Sequence, residues 1–211
     1  MSKKNKILKC IIFAAIFVTM LLSVILYEAN SLPGVDEGIG FFRTYTVESN
    51  ILMAVVSGVM LFLLLTRKED IPSWAYTLQL TGTSVVIVTF VTVIIFLAPM
   101  QVVNGNSPLV MIEGSMLYMH LINPILAFVA VAVLPDTHVY SLKECVISII
   151  PTVLYSFIYG YNVVILKAWP DFYGFTFGGK YYLAPVMMAA MYVLAFTISL
   201  VIRKVHKQIK I

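Results

Sequence analysis

Apolar residues along this chain form neither an alternating strand pattern nor a narrow helical stripe but six long blocks, each nearly free of charge. The clearest runs from Ile51 to Leu65 and reads ILMAVVSGVMLFLLL. A helix needs about 20 mostly apolar residues to cross a bilayer. Windows of that length lie at Lys9–Tyr27, Phe41–Thr66, Trp74–Ala98, Ser115–Leu134, Glu144–Lys167 and Tyr182–Arg203. The connections are too short to house another domain. The pattern therefore predicts an all-α polytopic membrane protein, a single bundle of six transmembrane helices over residues 1–211.

Polar punctuation divides the connections into two sets. Pro33, Gly34, Gly38 and Gly40 mark Glu28–Gly40 as an irregular loop, and Asn104, Gly105, Asn106 and Pro108 do the same for Pro99–Glu113. At the opposite face a turn at Arg67–Asp70 is closed by Pro72, and the fourth helix leaves at Pro135–Asp136. Pro151 predicts a kink inside the fifth helix. The stretch Trp169–Gly179 is aromatic throughout with glycine hinges, which predicts a belt or lid on the headgroup layer. Tyr155 and Tyr159 read as part of the same belt. Four lysines between Ser2 and Lys9 precede an apolar run, as in a secretory signal, but Ile11–Leu26 is long for one and no A-x-A site follows. A retained first helix is expected.

Composition agrees with that pattern: of 211 residues, 61% are hydrophobic and 11% charged, and the mean hydropathy of +0.97 excludes a soluble domain. The formal charge of +4 matters less than where it sits. Lys3, Lys4, Lys6, Lys9, Arg67, Lys68, Lys143, Arg203, Lys204, Lys207 and Lys210 fall on one side, and only Arg43, Lys167 and Lys180 on the other. The positive-inside rule then places both termini in the cytoplasm of a multi-pass plasma-membrane protein. The basic tails are expected to meet anionic lipid headgroups, not nucleic acid. Cys10 and Cys145 lie near the reducing side and have no clustered histidines, so neither a disulfide nor a zinc site is expected, and no metal or cofactor is implied. P-loop, G-x-S-x-G, H-E-x-x-H and dinucleotide fingerprints are lacking.

The polar groups that open the second helix are the exception to this picture. Arg43, Thr44, Thr46, Glu48, Ser49 and Asn50 stand directly before the hydrocarbon run. Unpartnered polar groups in lipid cost several kcal/mol each, so such residues are functional candidates. His120 is the one histidine inside an apolar block; His138 and His206 fall in cytoplasmic segments, where solvation is expected. The second and fourth helices run in the same direction. Counting 1.5 Å per residue, Thr46 and His120 lie about 7 and about 10 Å below the outer mouth. A hydroxyl and an imidazole in one layer suit a hydrolase, the imidazole taking the proton as the hydroxyl attacks a carbonyl. Asn50, four residues after Thr46, shares its face and could steady the site or donate to an oxyanion. Asn123, three after His120, could orient the ring. Glu48 points about 200° away from Thr46. The bland alternatives are a Thr46 bonded to its own i−4 carbonyl and a His120 that is only a satisfied core group. Arg43 is expected to snorkel to outer headgroups, and Thr77, Thr81 and Ser84 to line a helix-packing face.

The motif R-x-x-T-x-x-S-N (Arg43, Thr46, Ser49, Asn50), H-x-x-x-P (His120, Pro124) and a Trp-Pro aromatic loop before the last helix together resemble the bacterial relatives of the androgen-induced and androgen-dependent membrane hydrolases. The resemblance implies a bacterial cell membrane protein that splits fatty acyl esters of hydroxy fatty acids, with Thr46 as nucleophile and His120 as base. The expected partners are membrane lipids and a lipid-like ester reached from the outer leaflet. Arg43 and two helix N-termini at that surface favour an ester with a free carboxylate. Two other classes fit the composition. One is a carrier in which His120 and Glu48 handle protons, although the chain lacks the repeats such folds show; the other is a non-catalytic membrane assembly protein.

Overall fold

The computed structural model describes residues 3–30, 42–66, 71–134 and 138–209, with the side chains of 24 and 27–30 left aside. Six helices long and apolar enough to cross a membrane form one bundle. They are α1 (Lys3–Asn30), α2 (Tyr45–Thr66), α3 (Ser73–Val103), α4 (Ser115–Val133), α5 (Leu142–Ile165) and α6 (Tyr181–Ile209). Most of the expected Glu28–Gly40 loop, the Arg67–Asp70 turn and Pro135–Asp136 lie outside the described residues.

The surface identifies the surroundings. Phe62, Ile95, Phe157 and Val193 are all more than half exposed, and so much large apolar surface pointing outward suits lipid. The chain is a multi-pass membrane protein. Polar groups are instead turned inward. Ser84 and Ser148 both bond Ser199 Oγ, at 3.0 and 2.5 Å, joining α3, α5 and α6, and Thr77 Oγ1 donates to Glu144 Oε1 at 3.0 Å. The small hydroxyls of α3 do line a packing face. At Gly82 α3 comes close to α2, since a Cβ there would meet Val56 at 3.0 Å.

Prolines follow three of the four wide turns in the described helices; the fourth, Tyr161–Ile165, has none beside it. A proline has no N–H for the carbonyl four residues back, and wider π-turns take up the slack. One spans Val93–Leu97 before Pro99, which lets α3 run on to Val103 past the expected end at Ala98. Another covers Tyr118–Ile122 before Pro124. A third covers Val129–Val133 before Pro135. There, at the end of the helix, the Val131 carbonyl accepts from His206 Nδ1 at 2.7 Å. Pro151 breaks α5 near Ser148, as expected.

Two of the sequence expectations at this end of the bundle need correction. His206 is buried, its other ring nitrogen 3.0 Å from the His138 carbonyl. His138 stacks on Tyr76 and bonds Glu144 at 2.7 Å. Neither is a solvated histidine: His206 is held inside by two backbone carbonyls, and half-buried His138 by the Glu144 carboxylate and the Tyr76 ring. Lys9, counted with the basic tail, is likewise buried.

Candidate active site

At the other end of the bundle, α2 begins later than the hydropathy pattern implies. Thr44 caps it, its Oγ1 accepting from Val47 N–H at 3.4 Å and its carbonyl from Glu48 N–H at 3.1 Å. Thr46 is thus the second residue of the helix, in a turn whose N–H groups lack intrahelical partners. This geometry makes Thr44 the cap and leaves Thr46 free to face α4.

Thr46 Oγ1 lies 3.2 Å from His120 Nε2, and both residues are buried. The other ring nitrogen, Nδ1, is 2.6 Å from the Met111 carbonyl. A carbonyl can only accept, so Nδ1 carries the proton. In the neutral ring Nε2 then holds a lone pair, aimed at the Thr46 hydroxyl. Met111 lies in a 3₁₀ turn, Pro108–Ile112, that folds back over the head of α4. Gly114 makes that reversal at φ 55°, where a side chain would be strained. His120 sits inside the π-turn that Pro124 imposes, which is the physical content of the H-x-x-x-P spacing.

Comparison with family models, curated proteins and solved structures gave no match. The site's chemistry is therefore read from its own geometry.

Asn50 and Asn123 are beside the pair, but in other roles than those expected. Both Nδ2 hydrogens of Asn50 are committed, to the carbonyls of Thr46 at 2.9 Å and Met119 at 3.1 Å. None remains for an oxyanion. Asn123 does not touch the imidazole; it donates to Asn50 Oδ1 at 2.9 Å and accepts from Thr19 at 2.5 Å. The two amides lock α1, α2 and α4 in register beneath the pair. Ser49 bonds Thr89 at 2.9 Å and ties α2 to α3. Arg43 lies 6.0 Å from the Trp169 ring centroid, and Glu48 is exposed, on a different side of α2 from the His120 contact.

The aromatic loop differs most from expectation. Tyr159 is 1% exposed, and Tyr173, Phe175 and Thr176 are buried with it, so the belt is a plug in the head of the bundle. A single carboxylate organises it. Asp171 accepts from Thr176 N–H and Oγ1 at 2.7 and 2.6 Å, from Phe175 N–H at 2.9 Å and from Tyr159 Oη at 2.6 Å. Burial pushes this carboxyl up, but the donors from Thr176, Tyr159 and Phe175 outweigh it and hold it below its ordinary value. Tyr159 Oη in turn accepts from Tyr173 N–H at 3.2 Å. The plug thereby sets Tyr173 Oη 2.7 Å from Tyr45 N–H, at the start of α2. Tyr155 Oη donates to the Arg43 carbonyl at 2.7 Å. An Asp after Trp-Pro in a glycine-rich loop was the one signal of this arrangement in the sequence.

Thr46 borders a cavity of about 40 Å³, shared with Thr89, Thr92, Tyr155 and Tyr173. That is room for roughly two or three waters. A groove of about 390 Å³ runs between α2 and α5, past Phe42, Leu154, Ile158 and Trp169. Tyr45 and Tyr155 line both spaces, their rings edge to face with centroids 5.1 Å apart.

Proposed function

We propose that this protein is an intramembrane threonine hydrolase acting on a lipid-like acyl ester, with Thr46 as nucleophile and His120 as general base. The observation that supports it is the Thr46 Oγ1 to His120 Nε2 contact with the Nδ1 proton held by Met111. A packing threonine needs no imidazole with its tautomer fixed from the far side.

In the proposed reaction, Thr46 Oγ1 attacks the ester carbonyl carbon as its proton passes to Nε2. The carbonyl electrons move onto oxygen. Collapse re-forms the carbonyl and breaks the bond to the leaving alkoxide, which takes the proton from Nε2 and departs as an alcohol. Water then repeats the sequence on the acyl-threonine, freeing the acid and restoring Oγ1–H. The cavity beside Thr46 is large enough for that water. The groove between α2 and α5 suits the acyl chain, whose ester would pass the Tyr45–Tyr155 pair to reach Thr46. We place the site at the outer leaflet, following the distribution of basic residues.

The test uses purified protein, a fluorophosphonate probe and p-nitrophenyl acyl esters. Wild type should be labelled and active, Thr46→Ser should retain part of the activity, and Thr46→Ala and His120→Ala should each abolish turnover while staying folded. Because the two act as a unit, the double variant should be little worse than either single one. Full turnover by Thr46→Ala would end this reading.

A further inference from the structure

Acyl transfer needs more than a nucleophile and a base: the carbonyl oxygen becomes an anion, and one donor aimed at it is worth about 10²–10³ in rate. Asn50 has no hydrogen left for this role, and the Asn123 amide that bonds it belongs to the same locked pair. The head of α2 offers a different group. Tyr173 Oη accepts the Tyr45 N–H at 2.7 Å and also lies against the Thr46 amide and hydroxyl. It borders the cavity that Thr46 borders. Its proton cannot go to the amides, which are donors; with the Thr46 proton directed to His120, the lone pairs of Thr46 Oγ1 and Tyr155 Oη are the acceptors beside it. Tyr155 gives its own proton to the Arg43 carbonyl, so it can only receive from Tyr173.

Resting on the threonine-hydrolase reading, we infer that Tyr173 is a further catalytic residue, whose hydroxyl donates to the oxyanion formed when Thr46 attacks. The Tyr173 hydroxyl turns about its C–O bond from its resting acceptor to the incoming carbonyl oxygen, with no backbone movement. The Tyr45 amide at the start of α2 pulls electron density from its oxygen, which makes the phenol a stronger donor, and the helix dipole adds a positive field at the same point. Burial pushes this phenol up to about 12, so it keeps its proton at neutral pH and acts as a donor, not a base. The plug has a matching logic. Asp171, through Tyr159, holds the backbone from which Tyr173 reaches the site.

The experiment compares wild type, Tyr173→Phe, Thr46→Ala and protein carrying ring-fluorinated tyrosine at 173, with Tyr182→Phe, on the exposed surface, as control. Kinetics use a p-nitrophenyl acyl ester, and Thr46 reactivity is followed with a fluorophosphonate. Tyr173→Phe should lower kcat by about 10²–10³ with KM within about threefold, and Tyr182→Phe should behave as wild type. Fluorination leaves the shape almost unchanged and makes the phenol more acidic, so kcat should follow ring acidity, a response that a purely structural tyrosine would not give. A Tyr173→Phe variant with wild-type kcat, beside a dead Thr46→Ala, would overturn the Tyr173 role alone. If Tyr173→Phe fails to fold, a kcat indifferent to fluorination overturns it instead. Wild type inert to both ester and probe would remove the hydrolase reading and this inference together.

Discussion

A backbone carbonyl, that of Met111, stands behind His120 where acyl hydrolases of the Ser-His-Asp type keep a carboxylate. It fixes the tautomer equally well. In the proposed reaction it brings no full negative charge to the imidazolium, so turnover should be modest, about 1 s⁻¹ or below, measured as kcat on a good ester. Arg43 carries the other residue-scale prediction. Its charge lies over Trp169, one of the residues that line the groove. Free-acid esters should be cleaved faster than their methyl-capped counterparts at low salt, and Arg43→Gln should erase the difference; equal wild-type rates would refute the idea. Gln79 makes a contrast. It is wholly buried, and neither side-chain polar atom has a hydrogen-bond partner among the described residues. Such a group costs about 1–3 kcal/mol, so Gln79→Met should raise the melting temperature in detergent without changing kcat.

Among the elements, the π-turn of α4 and the aromatic plug have consequences of their own. Restoring an N–H at position 124 would let the helix bond the His120 carbonyl and close the wide turn. The imidazole would rotate away from Thr46. Pro124→Ala should therefore lower kcat at least about tenfold with equal or higher thermal stability, a combination that ordinary damage to packing does not give. The plug depends on Asp171. Its folded pKa lies below the ordinary value, so the stability it contributes is fully present above the ordinary carboxylate range near pH 4 and is lost as pH falls through the folded value. In a Trp74→Phe background, Trp169 fluorescence should be constant from neutral pH down to about 4 and shift below it. Asp171→Asn should show the shifted signal already at neutral pH.

For the molecule as a whole, the division of basic residues predicts both termini on the cytoplasmic side, so alkaline phosphatase fused after Ile211 should be inactive. A strongly active fusion would reverse the orientation and put the site at the inner leaflet. By itself the sequence determined six membrane helices, because lipid demands long unbroken apolar runs whatever the helices pack against. It also picked out Thr46 and His120, since polar groups among hydrocarbon stand out and helix rise gives their depth. Only the tertiary structure decided what each polar group bonds. Asn50 turned from oxyanion donor to brace because two backbone carbonyls came within its reach. Met111 could not be found from a side-chain pattern, because its carbonyl is the same in every residue. Tyr159 and Tyr173 read as lipid belt because aromatics at that depth usually are; instead Asp171 holds Tyr159 inside, and Tyr159 Oη holds the Tyr173 backbone. Hydropathy is a sum over neighbours in the chain, whereas hydrogen bonds are made between neighbours in space, and only folding says who those are.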